Sequence, residues 1–307
     1  MGAPLDEKLE SIADTGERMV PEYHKGKLLY GEHIVRYESL KQFISGKRVL
    51  DIASGSGYGT KIIGRFAKAV TGVDNNEDAI KYARANFAAE NVTYKQGDGL
   101  AIPLEDSSVD VVVSLETIEH IEDYEAFLEE LKRVLVPDGV AIISTPNDIE
   151  SPKGNHYHVH EFLFDEARNA FRKHFKNVTP YFQGTWLYTA LVGNDNIGTE
   201  WRGDIDTLSI APLKPDQTMY YLFVCSNGKP ATEIQPLGAI SEHYSVKRVI
   251  ETESAMRKHM AEQKLVMDHL ERELGRLTDE KKRIESHPAW KFLDLMSKAL
   301  KSAGLKK

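Results

Sequence analysis

Between Lys47 and about Asn227 the chain alternates short β-branched runs with stretches whose apolar residues recur at helical spacing, the pattern of a parallel sheet covered by helices. Five runs read as strands of a doubly wound core: RVLDIA (48–53), AVTGVD (69–74), VTYKQGD (92–98), VDVVVSL (109–115) and GVAIIST (139–145). Two more, NVTPYFQG (177–184) and TMYYLFVCSN (218–227), follow without a full helical crossover between them. They are expected to close the sheet as an antiparallel pair, with 189–216 as an irregular insertion.

The pattern changes after residue 230. Residues 231–244, inside a stretch rich in Pro, Gly and small side chains, read as a linker behind a first domain of residues 1–230. From Val246 to Ile284, steps of three and four residues visit twelve positions of which nine are apolar: Val246, Val249, Met256, Met260, Met267, Leu270, Leu274, Leu277 and Ile284. This heptad spacing predicts a coiled coil over 245–286 and hence a homo-oligomer, in a rod of about 58 Å. The alternative is a long amphipathic helix folded back on its own domain. Polar Glu253, Gln263 and Lys281 interrupt the seam and can fix its register. The tail, 287–307, places five Lys and one Asp after Trp290, with Trp290, Phe292, Leu293, Met296 and Leu300 available for an apolar face. That composition suits peripheral contact with an anionic membrane surface, and equally a solvated or oligomer-packing tail.

Composition narrows the classes. The 307 residues are 41% hydrophobic and 28% charged, which excludes a wholly disordered, collagenous or disulfide-stapled chain. No run of 18 apolar residues occurs, and the start, MGAPLDEKLE, lacks the basic and apolar regions of a signal peptide. A lone cysteine, Cys225, rules out an intrachain disulfide and fits a reducing compartment. The expected location is cytoplasmic, with the tail able to reach the inner membrane face. A formal charge of −8 disfavours broad binding to phosphate backbones, so nucleic acid is not the expected partner.

The first strand runs into Asp51-Ile-Ala53-Ser54-Gly55-Ser56-Gly57-Tyr58-Gly59, where small residues let the backbone pass close to a ligand. No GxxxxGK[ST] run is present there, so the phosphate-cradling reading fails. Asp74 ends the second strand, where a carboxylate can accept both hydroxyls of a ribose, and Asp98 ends the third, where it can accept from an adenine amino group.

With these segments in hand, the sequence resembles the class I S-adenosylmethionine-dependent methyltransferases, of the kind that includes ubiquinone-pathway and bacterial surface-glycan O-methyltransferases. The resemblance runs from about Gly16 to Phe175 and rests on GERMVPE, EHIVRY, VLDIASGSGYG, GVD, GDGLAIPLEDSSVDVV, SLETIEHIED, LKRVLVPDGVAIISTPN and NHYHVHEF. It implies a Rossmann-like, doubly wound, seven-stranded methyltransferase sheet and S-adenosyl-L-methionine as cofactor. By the same resemblance Asp51 and the loop Ala53, Ser54, Gly55, Ser56 and Gly57 contact the methionine end. Asp74 with Asn75 holds the ribose, Asp98 with Gly99 reads adenine, and Leu115 lines the pocket. Arg36, on the preceding helix, is a candidate for the cofactor carboxylate. One departure is Ala53, where the family's loop more often has glycine.

Methyl transfer is an in-line displacement from a sulfonium, so an enzyme aligns a nucleophile and, for a hydroxyl, helps remove its proton. The chain leaves the fourth strand as Glu116-Thr-Ile-Glu119-His120 and the fifth is followed by Asn155-His156-Tyr157-His158-Val159-His160-Glu161. Carboxylates and imidazoles in this pattern suit a divalent ion such as Mg²⁺ or Mn²⁺. The arrangement resembles that of small-RNA terminal ribose methyltransferases and ubiquinone O-methyltransferases, which implies Glu116, Glu119, His120 and His158 as metal ligands and His158 or His120 as general base. The other reading has the two glutamates cap the following helix while the histidines satisfy backbone groups. His156, His158 and His160 alternate and would share one face of an extended segment.

A metal-held diol fits a sugar, a catechol or the end of an RNA. The rod and its tail, whose Ser286-His-Pro-Ala-Trp290-Lys-Phe-Leu293 resembles the endings of bacterial surface-polysaccharide enzymes, favour a sugar hydroxyl of a cell-surface or lipid-linked polysaccharide such as an O-antigen. The alternatives are a small catechol or quinone precursor, an RNA ribose, and a degenerate methyltransferase fold that serves as a coiled-coil scaffold.

Overall fold

The structure is a computed structural model that describes residues 12, 18–25, 27–147, 157–185, 215, 218–229, 234 and 246–302. Apart from Pro215 and Ile234, the insertion expected over 189–216 and the linker over 231–244 lie outside the described residues, as do His156 and the last five residues of the tail. The chain divides into two units, residues 1–243 and 244–307.

In the first unit the expected strands form as β1 (Arg48–Ile52), β2 (Ala69–Asp74), β3 (Val92–Gln96), β4 (Val109–Leu115), β5 (Leu135–Pro146), β6 (Asn177–Gln183) and β7 (Tyr220–Ser226). They make one seven-stranded sheet in the order β3-β2-β1-β4-β5-β7-β6, parallel except for β7, which runs against both β5 and β6. This is the Rossmann-like methyltransferase sheet, closed by the antiparallel pairing of β6 with β7. Helices α1 (Pro21–His24), α2 (Leu28–Ser39) and α3 (Lys41–Ile44) precede it. Helices α4 (Tyr58–Gly64), α5 (Glu77–Phe87), α6 (Tyr124–Val134) and α7 (Phe164–His174) follow β1, β2, β4 and β5.

The strands are apolar on both faces because both are covered, as parallel sheets require. Alternate side chains split between two cores. Leu50, Ile52, Val112, Ile143 and Phe223 pack with Phe127, Leu128 and Leu131 of α6 and Phe171 of α7. Val49, Val111, Val113, Ile142 and Leu222 pack with Tyr37 and Leu40, Ile63 of α4 and Ile80 of α5. Two of the helices begin at a side-chain cap: for α5 the Asn76 side chain accepts from Ala79 N at 2.9 Å, and for α6 Asp123 accepts from Ala126 N at 3.0 Å.

Three of the boundaries that differ from the sequence reading have a clear cause. Ala53 falls outside β1, because its φ of +58° cannot continue a strand. Asp98 falls beyond the end of β3, in a turn that its own Oδ1 closes by accepting from Leu100 N at 2.9 Å. β5 starts at Leu135 rather than 139, since Leu135 pairs with Val109 across a register shift before the regular ladder resumes.

β1 lies between β2 and β4, so the direction of winding reverses between β1 and β4. Ligands of open α/β sheets sit at the carboxyl ends of strands at such a switch point. The register Ile52↔Ser114 sets the loop after β1 beside the segment after β4.

The second unit is two helices, α8 (Val246–Ser286) and α9 (Pro288–Ser302). The break falls at His287-Pro288: Pro opens α9, and the His287 ring accepts from Ala289 N at 3.2 Å through Nδ1. Seam residues Met267, Leu270, Leu274, Leu277 and Ile284 of α8 are exposed. A helix therefore forms over the predicted coiled coil, with these five apolar positions uncovered.

Candidate functional site

At the switch point the chain after β1 is bent by three alternating left-handed residues, Ala53 (φ +58°), Gly55 (φ +54°) and Gly57 (φ +87°). Gly57 is required twice over, since a Cβ there would lie 2.5 Å from Ala83 Cβ and 2.9 Å from the Tyr94 ring. The bend is tied down by acidic groups and a phenol. Gly55 N donates to Asp74 Oδ2 at 2.8 Å, Asn76 N donates to Asp74 Oδ1 at 2.9 Å, and Tyr94 OH donates to Gly57 O at 2.8 Å. The Thr60 hydroxyl donates to Asp51 Oδ2 at 2.6 Å, and that of Ser56 to Met19 O at 2.9 Å. Asp51 is buried, and burial together with the nearby Asp74 pushes its pKa up to about 7, against the hydrogen bond from Thr60.

The expected cofactor residues thus meet around one loop. Asp51, Ser54, Gly55, Ser56, Gly57 and Asp74 are in direct sequence or hydrogen-bonded contact, and Ala53 and Asn75 are exposed at its rim. Leu115 ends β4 one strand away, while Asp98 and Gly99 form the exposed turn after β3, with Gly99 held close to the Phe127 ring.

The segment after β4 is built differently. Glu116 takes a φ of +52°, and Ile118–His120 make a single 3-10 turn. The backbone oxygen of Glu119 accepts from Val159 N at 2.8 Å and His160 N at 3.1 Å, which folds the later histidine segment back onto this turn. His120 Nδ1 lies 2.9 Å from Tyr157 O; a carbonyl only accepts, so the proton sits on Nδ1 and Nε2 is the ring's acceptor. That Nε2 lies 3.8 Å from Glu119 Oε1, and the His120 and His158 rings meet edge to face at 5.0 Å. His158 Nδ1 is 3.1 Å from Glu161 Oε1, a carboxylate that orients the ring as partners of metal-binding histidines do.

Potential ligand atoms of Glu119, His120 and His158 all lie within 4.8 Å of one another. Glu119 is buried, its Oε2 has no hydrogen-bond partner, and burial and the Glu116 charge hold its carboxyl well above the usual range. Glu116, expected as a fourth ligand, is turned elsewhere: its Oε1 accepts from Ser144 Oγ at 2.6 Å and lies 3.2 Å from Arg36 Nη1. The three alternating histidines also part company. His160 pairs with Glu166 at 2.9 Å and packs on Phe162 and Tyr124, while His156 lies outside the described residues.

Arg36 of α2 is 3% exposed, and none of its guanidinium nitrogens makes a hydrogen bond. Burial alone would lower its pKa, but Glu116, Tyr220 and Glu32 hold it raised. Its guanidinium lies 4.3 Å from the centre of the Tyr220 ring.

Several residues here escaped the sequence reading. Glu32 accepts from Thr185 Oγ1 at 2.8 Å and Tyr220 OH at 3.2 Å, bringing α2 to the β6–β7 end. Tyr58 OH lies 2.6 Å from His33 Nδ1; burial pushes the phenol up, and burial and Arg36 hold the imidazole low, so Tyr58 donates. Ser144 had a visible signal, a hydroxyl pair closing the otherwise apolar run GVAIIST. Arg18 had none: its side chain lies 3.4 Å from where a Cβ on Gly55 would sit.

Residues 50–143 match the family described as methyltransferase domain. The chain is 36% identical over 166 residues to a probable S-adenosylmethionine-dependent methyltransferase of Mycolicibacterium smegmatis, covering 52% of this chain and 64% of that protein. A second relative of the same description, from Mycobacterium tuberculosis, is 35% identical over 157 residues, or 50% of this chain and 57% of that one. A ubiquinone biosynthesis O-methyltransferase of Sinorhizobium medicae is 30% identical over 118 residues, 38% of this chain and 48% of the relative. The chain thus spans about half to three fifths of the length of these relatives.

Proposed function

We propose, from the premise that the chain belongs to the class I S-adenosylmethionine-dependent methyltransferases, that it methylates a hydroxyl flanked by a second oxygen, on a sugar of a lipid-linked or cell-surface glycan. The observation that carries this reading is the adjacency, through the Ile52↔Ser114 register, of the glycine-rich loop and the Glu119–His120–His158 cluster. S-adenosylmethionine, when bound, supplies a methyl group on a positively charged sulfur, ready for in-line displacement.

The protein's own residues do the rest. Asp74 is fixed by two backbone amides at the end of β2, where its remaining lone pairs can take the ribose hydroxyls. Asp51, once ionised, meets the amino group of the methionine end, and Arg36 offers an unmet guanidinium to its carboxylate. Asp98 and Gly99 receive the adenine edge, with Leu115 against the ring.

On the other side, one carboxylate and two imidazoles fit a borderline divalent ion such as Mn²⁺ better than Mg²⁺, which prefers oxygen. The unpartnered Glu119 Oε2 is the structural sign that the cluster suits a cation. Glu119, His120 and His158 would hold that ion, whose chemistry there is to draw two neighbouring acceptor oxygens together and make one more acidic. With no ion in the cluster, His158, oriented by Glu161, stands instead as general base.

The second unit supports the choice of a membrane-linked acceptor. On a helical projection of α9, Phe292, Leu293, Leu295, Met296 and Leu300 share one side and are exposed, while Lys291, Lys298 and Lys301 share the other. The apolar side suits burial in a lipid interface, where lysines at its borders can reach anionic headgroups. No helix among the described residues is long and apolar enough to cross a membrane, so contact through α9 is peripheral. The exposed heptad seam of α8 is assigned to self-association.

A small quinone-like acceptor is the second reading, favoured by the ubiquinone-pathway relative. The test is transfer of labelled methyl from S-adenosylmethionine into separated lipid-linked glycan, quinone and small-RNA fractions, each with and without chelator. Chelator-sensitive label in glycan is the expected result. Label only in quinone or RNA overturns the glycan, and failure of S-adenosylmethionine to bind in calorimetry overturns the enzyme.

A further inference from the structure

Arg36 and Glu116 form a pair that neither partner completes. The Arg36 guanidinium is buried without a hydrogen bond, and its link to Glu116 is a single approach of Nη1 to Oε1 at 3.2 Å. Planar bidentate pairing is what a guanidinium and a carboxylate normally make when the geometry is free. Glu116 is held at a left-handed φ of +52°, and its Oε1 is shared with the Ser144 hydroxyl. The pair therefore neutralises charge without using the fork of Arg36.

The second carboxylate beside Arg36, that of Glu32, is fixed by the hydroxyls of Thr185 and Tyr220. Glu116 is tied by one hydroxyl and is three residues before Glu119, in the segment that carries Glu119 and His120. Delivery of a ligand carboxylate to Arg36 would place a third negative group against one guanidinium. Of the two carboxylates already there, Glu116 is the one with somewhere to go.

We infer that Glu116 changes partner: with the cofactor pocket empty it neutralises Arg36, and when the cofactor's carboxylate takes Arg36 it swings to the Glu119–His120–His158 cluster as a fourth ligand for a divalent cation. This rests on the reading of Arg36 and of the cluster proposed above. Its consequence is order. The cation site is complete only when the methyl donor is in place, so an acceptor hydroxyl is activated only beside a methyl group that can be transferred. The two sites share a coupling free energy, and linkage makes the coupling reciprocal.

The test uses the full chain, Mn²⁺ as probe and S-adenosylhomocysteine as a donor analogue that keeps the carboxylate. Titration of Mn²⁺, read by the paramagnetic signal of the free ion, is expected to tighten at least tenfold with saturating S-adenosylhomocysteine. Calorimetry should give the same factor for the analogue when Mn²⁺ is saturating. Methylthioadenosine, which lacks the amino-acid end, should fill the nucleoside part of the pocket and give no tightening. Glu116→Gln should bind S-adenosylhomocysteine while losing the factor; Ser144→Ala, a milder change, should make ligand-free Mn²⁺ binding tighter and so shrink the factor without abolishing it. Equal Mn²⁺ affinity with and without S-adenosylhomocysteine, or equal tightening by methylthioadenosine, overturns the inference and leaves the methyltransferase reading standing. Absence of Mn²⁺ binding in every state also overturns it, and absence of S-adenosylhomocysteine binding overturns both.

Discussion

The loop after β1 and the segment after β4 leave neighbouring strands at the same end of the sheet, yet they are built on opposite terms. Around the loop, Asp74 is met on both oxygens by backbone amides, Asp51 by Thr60, and the carbonyl of Gly57 by Tyr94, with Ser54 Oγ the exception. After β4, the buried groups are left open: three nitrogens of Arg36 and one oxygen of Glu119 have no hydrogen-bond partner. Buried polar groups are nearly always satisfied, so open ones mark where the structure waits for something else. A closed network suits a ligand whose shape never changes, while an open one suits charge that arrives with the ligand.

The contrast breaks most severely at Gly57. A side chain there must take φ +87° and enter the space of Ala83 and Tyr94, so Gly57→Ala combines the cost of a left-handed residue with overpacking. The expected loss is about 4 kcal/mol, read as a fall in the denaturant midpoint, with cofactor binding lost even where the fold survives. An unchanged midpoint would mean that the loop is not the rigid half.

Asp51 gives the next effect. Its carboxyl titrates near 7 in the folded chain and near the ordinary value of about 3.9 when unfolded. Between those values the folded state holds a proton that the unfolded state has released, so stability falls as pH rises from about 4 to 7 and levels off above. Asp51→Asn should remove that slope and stabilise the ligand-free protein at pH 8 by about 3 kcal/mol. If the cofactor's amino group pairs with the ionised carboxylate, its binding to the native protein at pH 6 releases a proton. Calorimetry in buffers of different ionisation enthalpy reads it, and no release would detach Asp51 from that role.

Glu119 belongs to the open side and carries an effect of the same sign. Burial and Glu116 raise its carboxyl, so the ionised form is destabilising once pH passes the unfolded value. Glu119→Gln is expected to stabilise the chelator-treated protein at pH 8 by about 1 kcal/mol and to change nothing at pH 4, while abolishing Mn²⁺ binding. A loss of stability at pH 8 would show that the carboxylate is structurally satisfied after all.

How much of this could be read from the chain follows the range of the interactions. The β1 loop is local: Asp51, the small residues and Gly57 lie within seven positions, and Asp74 marks the end of an obvious strand. The seven strands announced themselves by apolar runs, and α8 by its heptads. The open half depends on distant partners. Arg36 and Glu116 are 80 positions apart, and Glu32 meets Tyr220 across 188. The resemblance gave Glu116, Glu119, His120 and His158 equal standing as ligands. Only the left-handed backbone at Glu116 and the Ser144 hydroxyl across the strand turn one of them away. His158 reaches His120 because two backbone amides of its segment dock on Glu119 O, a contact no side-chain pattern encodes. A coiled coil at α8 would need a second chain, and the sequence shows only its own side of that contact, Leu270, Leu274 and Leu277 in a row.

The finest test of the closed half is Ala53. It sits at φ +58° with its methyl exposed, at the position where related loops more often carry glycine. A left-handed alanine costs about 1–2 kcal/mol, and glycine would remove that cost. Glycine also widens the unfolded ensemble, which takes back about 0.4–1 kcal/mol, and because the methyl is exposed no burial is lost. Ala53→Gly should therefore stabilise the protein by less than about 1 kcal/mol, a shift of 2–4 °C in the thermal midpoint for a domain of this size. Cofactor affinity should change by less than about threefold, because the neighbouring Gly55 amide stays anchored to Asp74 whichever residue precedes it. A large gain in affinity would show instead that the methyl group holds the loop away from its ligand-bound shape, and the half described as closed would then be only partly so.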